Sequence, residues 1–481
     1  MTVDRAEVEA AIARLDPESL AGRRWFGSKG RPIRSLRLAQ AFDLDDGHAL
    51  AVVALAFGDR GGPARYVLPL SGASGHLAEA EPGDGAYRAL ARAIAEGATL
   101  PAVGGETPSL PGPVSAALVC RPAGGLARLV GEGAASVGRL AERPLGADQS
   151  NTSVVLGERL VLKTYRRLEP GLNPDLELTA YLSEEVGFDA VPALAGFAEL
   201  VTADGVATVA MLEEFVAPAE DAYESTAERL TAWLLAEGEV AVEFATEEAA
   251  EIGRLTADMH AAFGAARAPG FEPRLATRDE LRGWWQAARS QLERALEIVS
   301  GEAGMALRGM APAIADEVTV FEALPTAPLL TRVHGDYHLG QLLRTADGFV
   351  IVDFEGEPTR SLEERRRHGS PMRDVASMLR SIDHVGRSAI RRAEARTGGP
   401  LKRAGFDMAA WLRRSRERFL DAYERRLAAH GSPISVDLDL LRAFEIEKET
   451  YEFLYAATYL TEWMWAPLAG MRGLLDEAPP R

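Results

Sequence analysis

The chain has 481 residues, 47% of them hydrophobic, a length that exceeds one ordinary core and predicts two or three packed units. Its 53 basic and 71 acidic residues give a formal net charge of -18, which disfavours nucleic acid as a partner and favours a neutral or cationic small molecule. The single cysteine, Cys120, excludes an intramolecular disulfide and is typical of a reducing cytosol.

The N-terminus is acidic and amphipathic, without the basic start and apolar centre of a signal peptide. No uninterrupted apolar stretch reaches the roughly 18 residues that a membrane span requires. We therefore expect a soluble, cytoplasmic protein that acts as a monomer and has no membrane partner.

The first part of the chain predicts one helix and then three short strands separated by Asp-Gly and Gly-Gly turns. The strands read LRLAQAFDL, ALAVVALAFGD and ARYVLPLSG, at residues 36–44, 49–59 and 64–72. They predict a sheet-rich N-terminal cap unit over residues 1–135.

The pattern then changes twice. Residues 136–216 predict strand, turn, strand, helix and strand, which is typical of a small nucleotide-binding lobe. Long helical patterns dominate residues 217–481, interrupted by one predicted hairpin. The fold class is therefore α+β.

The hairpin, GQLLRTADGFVIVDF, brings an amide and a carboxylate together. If Arg344 pairs with Phe349 across the Asp-Gly turn, Gln341 falls beside Asp353, because opposed side chains in a ladder lie about 5 Å apart. Such oxygen ligands suit Mg²⁺, and the nearby Glu355 could reach a second ion.

Asp336 lies five residues before Gln341, which is the spacing of a phosphotransferase catalytic loop whose aspartate accepts the proton of the acceptor hydroxyl. His338 either contacts the substrate or orients the loop through a backbone hydrogen bond. Two alternatives stay open: the stretch HGDYH could form a transition-metal site with Asp353, or the hairpin could be purely structural.

A kinase also requires a strand lysine that is paired with a helical glutamate and aimed at the nucleotide phosphates. Lys163 lies on a predicted strand, and Glu177 follows 14 residues later on a predicted helix. Lysine occurs at only four positions in a chain that otherwise uses arginine, which makes Lys163 conspicuous.

The phosphate cover and the adenine contact are predicted from neighbouring stretches. The turn DQSNTS can offer hydroxyl and amide donors to phosphate oxygens in place of a glycine-rich loop. The stretch VAMLEEFVAP predicts a strand that leads into a hinge whose backbone holds adenine. The expected nucleotide contacts from these stretches are Gln149, Ser150, Ser153, Met211, Glu213 and Phe215.

Four motifs, HGDYHLGQ, DFEGEP, PMRDVASMLRS and RRWFGSKGRPI, resemble those of the maltokinase-like branch of the aminoglycoside-phosphotransferase-like kinases. The resemblance implies a bilobal, protein-kinase-like fold with an N-terminal cap, ATP and Mg²⁺ as cofactors, and a sugar in an acidic groove of the helical lobe. It also implies that Asp336 is the base, that Gln341 and Asp353 hold magnesium, and that Lys163 with Glu177 anchors phosphate.

The helix near the C-terminus presents Lys448, Tyr451, Tyr455 and Tyr459 at helical spacing. A packing seam would explain this stripe, but the corresponding helix faces the sugar in maltokinases. This chain keeps Glu452 and Trp463 of that pattern. It departs from the pattern where Thr458 and Leu460 replace two arginines and Ala456 replaces a glutamate, with Glu462 and Trp465 added nearby.

The loss of two cations beside added acidic and apolar groups favours a smaller or positively charged sugar over maltose. Glucosamine fits, because Glu462 or Glu452 could stabilise its ammonium group. The predicted reaction is ATP-dependent phosphorylation of glucosamine at the 6-hydroxyl. The alternatives are formation of maltose 1-phosphate, phosphorylation of an aminoglycoside antibiotic, and a non-catalytic sugar or nucleotide sensor.

Overall fold

The computed structural model describes residues 2–23, 25–59, 62–72, 75–104, 116–131, 133–146, 151–236, 242–358, 360–401 and 408–476. The chain divides into two compact units, Met1–Ala217 and Pro218–Arg481. Within the described residues, no helix is long and apolar enough to cross a lipid bilayer.

The N-terminal unit is built on strands, with short helices between them. Its helices are α1 (Arg5–Ala13), α2 (Pro17–Gly22), α3 (Ala86–Glu96), α4 (Gly125–Val130), α5 (Ala134–Val137) and α6 (Pro174–Ala180), the last continued by a π-helical turn over Tyr181–Val186. Its strands are β1 (Ile33–Asp43), β2 (His48–Phe57), β3 (Ala64–Ser71), β4 (Ala78–Glu79), β5 (Thr99–Pro101), β6 (Ala117–Pro122), β7 (Glu142–Pro144), β8 (Thr152–Leu156), β9 (Leu160–Thr164), β10 (Arg167–Leu168), β11 (Leu194–Thr202) and β12 (Gly205–Glu214).

These strands form two antiparallel sheets. The first has the order β1-β2-β3-β10 with β4 beside β3, and the second has the order β5-β6-β11-β12-β9-β8-β7. Strand β2 is almost entirely apolar because both of its faces are covered. Leu50 and Val52 enter one core with α3, while Ala51 and Val53 enter a second core with α1 and α2.

The three strands expected after the first helix are confirmed as β1, β2 and β3. The expected boundary at residue 135 lies inside the first compact unit. Strands β5 and β6, from the expected cap, belong to the second sheet, whereas β10, from the expected nucleotide lobe, pairs with β3. The two expected parts therefore share both sheets, and their separation stays a prediction.

Strand β11 is absent from the sequence prediction because a glycine interrupts its apolar pattern. A Cβ added at Gly196 would fall 2.5 Å from Ile94 Cγ2 and 2.6 Å from Arg121 O. Only glycine fits at position 196 because the neighbouring atoms are so close. Glycine has a low strand propensity, so the sequence pattern does not predict a strand there. Cys120 in neighbouring β6 is buried, and burial raises the pKa of its thiol to about 12, which makes it an inert core residue.

The C-terminal unit is mainly helical. Its helices are α7 (Ala222–Leu235), α8 (Val242–Gly264), α9 (Arg278–Ile298), α10 (Gly301–Glu317), α11 (Val320–Ala323), α12 (Leu362–Arg365), α13 (Pro371–Thr397), α14 (Met408–Ala429), α15 (Leu438–Tyr459) and α16 (Trp465–Asp476), with 3₁₀ turns over Leu339–Gln341 and Thr461–Trp463. Its strands are β13 (Glu220–Asp221), β14 (Arg274–Leu275), β15 (Leu329–Leu330), β16 (Leu342–Thr345) and β17 (Gly348–Ile351).

The hairpin has the register expected from the sequence. Arg344 pairs with Phe349 across the turn, and Leu342 pairs with Ile351. The ladder continues one step further, because the Val352 N–H donates to Gln341 O at 3.0 Å. The side chains of Gln341 and Asp353 are therefore neighbours at the open end of the hairpin.

Candidate active site

The loop that carries Asp336 is held by a buried aspartate at the start of α13. Asp374 accepts the backbone N–H of His334 at 2.7 Å and that of Gly335 at 2.9 Å. Gly335 has φ +86°, a conformation that favours glycine and lets two consecutive N–H groups point at one carboxylate. Asp374 therefore fixes the backbone immediately before Asp336.

Asp374 is supported from behind by His260 of α8. His260 Nε2 lies 3.3 Å from Asp374 Oδ2, and its Nδ1 lies 2.8 Å from the Tyr423 hydroxyl. Burial by itself would raise the pKa of Asp374, but His260 and the loop amides outweigh burial and hold this pKa below its usual value. Asp374 is therefore an ionised acceptor inside the unit.

His334 ties the same loop to the hairpin. Its Nε2 donates to Val352 O at 3.1 Å, and its Nδ1 accepts the Asp336 N–H at 3.4 Å. The His334 ring also packs against Phe354, with ring centroids 4.7 Å apart. Both ring nitrogens of His334 are thus used to position Asp336.

Two basic groups flank the Asp336 carboxylate. Lys448 Nζ lies 3.4 Å from Asp336 Oδ1, and His338 Nε2 lies 3.8 Å from Asp336 Oδ2. Burial would raise the pKa of Asp336, but the charge of Lys448, with His338 and His334 beside the carboxylate, overcomes it and lowers this pKa. The carboxylate is consequently ionised and able to accept a proton.

His338 also makes the backbone hydrogen bond that the sequence allowed as its alternative role. Its Nδ1 accepts the Gly340 N–H at 3.1 Å, which turns Nε2 towards Asp336. Burial lowers the pKa of His338 despite the neighbouring Asp336, and this favours a neutral imidazole. His338 therefore orients the loop, while its contact with a substrate stays a prediction.

Gln341 and Asp353 meet as expected, with Gln341 Nε2 lying 3.3 Å from Asp353 Oδ2. Asp353 has φ +65°, and this turn of the backbone follows directly on the hairpin. The half-buried Glu355 follows two residues later, where its carbonyl accepts Arg365 Nη1 at 3.1 Å. These three residues carry amide and carboxylate oxygens, which are the ligands that a hard cation prefers, and their role as metal ligands stays a prediction.

The tyrosine stripe on α15 forms a continuous ladder of rings. Lys448 Nζ lies 4.8 Å from the Tyr451 ring centroid, and the centroids of Tyr451 and Tyr455 are 6.4 Å apart. The centroids of Tyr455 and Tyr459 are 5.3 Å apart, and these two residues are 40% and 63% exposed. The ladder therefore runs from the base of the site into solvent.

The other residues expected to contact the sugar from this helix and the turn after it lie in different surroundings. Glu452 lies 3.3 Å from Lys448 Nζ and so belongs to the charge cluster around Asp336. Trp463 packs against His384 and Trp465, with ring centroids 6.0 and 5.1 Å apart. Glu462 is exposed on the 3₁₀ turn beyond α15. Contacts of these three side chains with a substrate stay predictions.

A small pocket opens beside the catalytic loop. Arg373 Nη1 pairs with Glu447 at 3.1 Å, and Arg360 Nε with Glu357 Oε2 at 2.5 Å, so the pocket is rich in charge. Only Lys448 and Tyr451 of this lining were predicted as site residues, although Gly335, Glu357, Arg373 and Ser377 lie within the quoted motifs. The pocket is lined by Gln291, Gly335, Glu357, Arg373, Ser377, Phe444, Glu447, Lys448 and Tyr451.

Buried ion pairs hold α15 against α13 and α14. His384 Nε2 lies 3.0 Å from Glu449 Oε1, while Arg380 and Arg416 lie 3.4 and 2.6 Å from Glu445 Oε1. Burial raises the pKa of Glu449, although His384 opposes it. Because Glu445 and Glu449 point inwards, the helix turns Lys448 and Tyr451 towards the pocket.

In the N-terminal unit, Lys163 has an aspartate partner that the sequence did not predict. Lys163 Nζ lies 2.7 Å from Asp175 Oδ2, which the Tyr165 hydroxyl also contacts at 2.9 Å. Asn173 caps α6 by accepting the Asp175 N–H at 2.9 Å, and this sets which residues of the helix face β9. Glu177 is half-buried on the same helix, and its predicted role with Lys163 stays a prediction.

The other expected nucleotide residues surround Lys163 or lie outside the described residues. Ser153 on β8 and Met211 on β12 are the cross-strand partners of Lys163. Glu213 pairs with Val161, and the Phe215 N–H donates to Arg159 O at 2.9 Å. Gln149 and Ser150 fall in residues 147–150, outside the part of the chain that the structure describes.

Comparison with known proteins identifies the class. Residues 141–413 match the phosphotransferase enzyme family, and residues 20–96 match the maltokinase N-terminal cap domain. The chain therefore belongs to the phosphotransferase enzyme family, with the kinase-like fold of that family and a sheet-rich cap domain.

Several relatives carry one particular name. A glucosamine kinase of Streptacidiphilus jiangxiensis is 33% identical over 448 residues, covering 92% of each chain. A glucosamine kinase of Mycolicibacterium smegmatis is 31% identical over 337 residues, covering 70% of this chain and 80% of the relative. The solved structure of a glucosamine kinase in complex with glucosamine, ADP and inorganic phosphate has a TM-score of 0.71 and 28% identity, covering 99% of this chain and 100% of its own.

Proposed function

We propose that this protein transfers the γ-phosphoryl group of ATP to the 6-hydroxyl of glucosamine. The observation that carries the proposal is the Asp336 carboxylate, kept ionised by Lys448 at 3.4 Å beside a pocket that contains further carboxylates. The relatives named glucosamine kinase support the same substrate. We further propose a cytoplasmic location, because ATP is supplied in the cytoplasm.

The charge of the pocket supports an amino sugar. Glu357 and Glu447 line it, and Glu452 lies beside Lys448. A sugar ammonium would interact favourably with such carboxylates.

In the reaction, Asp336 orients the sugar hydroxyl and accepts its proton as the sugar oxygen bonds to the γ-phosphorus and the bond from that phosphorus to the departing ADP breaks. Lys448 keeps this carboxylate ionised, and His338 orients the loop that carries it. Lys163 contributes a positive charge for the ATP phosphates, and Asp175 orients the Lys163 ammonium. Positioning by these side chains supplies most of the rate acceleration.

The oxygen donors of Gln341 and Asp353 fit Mg²⁺, with Glu355 as a further carboxylate. Rotation of the Gln341 amide by half a turn presents its oxygen on the side of Asp353. Both nitrogens of His334 already make loop hydrogen bonds, which supports magnesium over a transition-metal site in HGDYH. When bound, Mg²⁺ neutralises negative charge on the phosphoryl oxygens.

Maltose is the second candidate substrate, because residues 20–96 match the maltokinase cap domain. The deciding experiment measures ADP release with glucosamine, glucose, maltose and an aminoglycoside. We expect glucosamine to give the highest kcat/KM, and turnover of maltose alone would overturn the choice of sugar.

Asp336→Asn tests the role of the base in the same assay. We expect kcat to fall by about 10²–10⁴-fold, the usual contribution of a general base. Asp347→Asn is the matched control, since Asp347 is an exposed acid in the turn of the same hairpin. Full activity of Asp336→Asn would refute the proposed mechanism.

A further inference from the structure

Arg166 follows strand β9 and is only 3% exposed, although a buried guanidinium is costly unless its N–H groups are paired. Its Nε donates to Thr152 Oγ1 at 2.7 Å, and its Nη1 donates to Val67 O at 3.2 Å. Its Nη2 donates to the Tyr87 hydroxyl at 3.0 Å. One side chain therefore connects the first residue of β8 to strand β3 and helix α3.

The charge of Arg166 is balanced within the same cluster. Glu79 Oε1 lies 3.6 Å from Arg166 Nη2, and the Trp25 ring centroid lies 4.9 Å from the guanidinium carbon. Trp25 belongs to the motif RRWFGSKGRPI, to which the proposed reaction assigns no role. The Arg166 guanidinium is thus in contact with both the first sheet and the RRWFGSKGRPI motif. Besides its three hydrogen-bond acceptors, it has the Glu79 carboxylate and the face of the Trp25 ring as neighbours.

The position of Thr152 gives this cluster a consequence for the nucleotide. Thr152 pairs with Thr164 on β9, and the next residue, Ser153, pairs with Lys163. The hydrogen bond from Arg166 to Thr152 therefore fixes the first residue of β8. The next residue, Ser153, is the one that pairs with Lys163. The planar fork of arginine can serve three acceptors in set directions, which the single ammonium of lysine cannot reproduce.

We propose that Arg166 is a positioning residue for nucleotide binding, through which the N-terminal sheet and the Trp25 motif hold the start of β8 in register with Lys163. The inference rests on the proposed function in assigning Lys163 to the ATP phosphates. It gives the cap segment a task in the reaction, namely to set the affinity for ATP without contacting either substrate.

The test is Thr152→Val, which removes the hydroxyl that accepts from Arg166 Nε and keeps the branched shape of the side chain. We expect the dissociation constant of ADP by calorimetry, and the KM for ATP, to rise about three- to tenfold, within the range of mutations that act through packed networks. The kcat and the KM for glucosamine should change by less than about twofold. Thr152→Ser keeps the hydroxyl and should restore wild-type affinity.

Thr164→Val is the matched control on the opposite strand. Thr164 is fully buried, and its hydroxyl has no hydrogen-bond partner among the described residues, so the substitution removes a hydroxyl without breaking a link. It should bind ADP like the wild type. Equal ADP affinity of both valine variants would overturn the inference.

ADP binding measured by calorimetry tests the positioning role of Arg166 independently of the sugar assay, which tests the proposed function. If the wild type phosphorylates none of the sugars but Thr152→Val still weakens ADP binding, the proposed function fails and the positioning role stands. If the wild type is active and the two valine variants bind ADP alike, the proposed function stands and the positioning role fails. Thermal melting of each variant checks that its fold is intact.

Discussion

Lys448 Nζ lies 3.4 Å from Asp336 Oδ1, so a cation on α15 lies against the carboxylate that begins the catalytic loop. Burial alone would lower the pKa of Lys448, but Asp336, Glu452 and Glu357 outweigh it and raise this pKa. In return, Lys448 contributes to the lowered pKa of Asp336. Both the Lys448 ammonium and the Asp336 carboxylate are therefore charged at neutral pH.

Lys448→Met removes the cation that keeps Asp336 ionised, so the pKa of Asp336 should rise. The acid limb of the pH profile of kcat/KM should then move to higher pH, because activity requires the unprotonated carboxylate. Lys448→Arg keeps the charge and should retain the acid limb of the wild type. Superimposable profiles for wild type and Lys448→Met would show that Lys448 does not control the base.

Asp175 and Glu177 are distinguished by two charge-removing variants. Asp175→Asn should raise the KM for ATP by about tenfold or more, because a charge-assisted hydrogen bond to Lys163 contributes about 1.5–3 kcal/mol. Glu177→Gln should raise it less, since Glu177 is only half-buried on α6. A larger loss with Glu177→Gln would favour the pairing expected from the sequence.

Removal of divalent metal tests the donor set at the hairpin. Treatment with a chelator should abolish activity, and Mg²⁺ should restore it whereas Zn²⁺ should not, because amide and carboxylate oxygens suit a hard cation. Asp353→Asn should raise the Mg²⁺ concentration required for half-maximal rate. An unchanged requirement in Asp353→Asn would remove this residue from the metal site.

The features that the sequence predicted correctly depend on residues close together in the chain. The pairing of Arg344 with Phe349 follows from a short turn, and this register brings Gln341 to Asp353. The stacking of Tyr451 on Tyr455 follows from the helical spacing of four residues. Such local geometry is set by few dihedral angles and is therefore readable from a pattern.

The features that the sequence missed depend on distant segments or on helix phase. Asp374 accepts the N–H of His334, which lies about forty residues earlier in the chain. The motif PMRDVASMLRS could therefore be recognised in the sequence, but the loop residues that Asp374 contacts could not. Asp175 and Glu177 are two residues apart on one helix and differ in direction by about 200°. The contact of Asp175 with Lys163 depends on where Asn173 begins the helix.

Asp374→Asn tests the buried support of the catalytic loop. Folding should lose about 2 kcal/mol or more at pH 7, because the amide can accept only one of the two loop N–H groups. The pKa of Asp374 is lowered in the folded state, so its contribution is present above the unfolded value of about 3.9 and is lost as pH falls through the folded pKa.

The difference in urea midpoint between wild type and Asp374→Asn should therefore stay constant from neutral pH down to about pH 4 and narrow only below it. A difference that instead widens as pH falls through about 5–6 would mean that burial dominates and that the pKa of Asp374 is raised.

Glu357 is the pocket carboxylate that we expect to select an amino sugar. It lines the pocket with Lys448 and is 9% exposed, and Arg360 Nε, 2.5 Å from Glu357 Oε2, holds the carboxylate in place. Glu357→Gln should lower kcat/KM for glucosamine by about tenfold or more while leaving the much lower value for glucose nearly unchanged, since only glucosamine carries an ammonium group.

Glu462→Gln is the control for this selectivity, because Glu462 is exposed on the turn beyond α15 and does not line the pocket. Its ratio of glucosamine to glucose turnover should match that of the wild type. Glu452→Gln extends the comparison to the acid beside Lys448. A loss of selectivity confined to Glu452→Gln or Glu462→Gln would assign the ammonium to α15 and its following turn, as the sequence alone predicted.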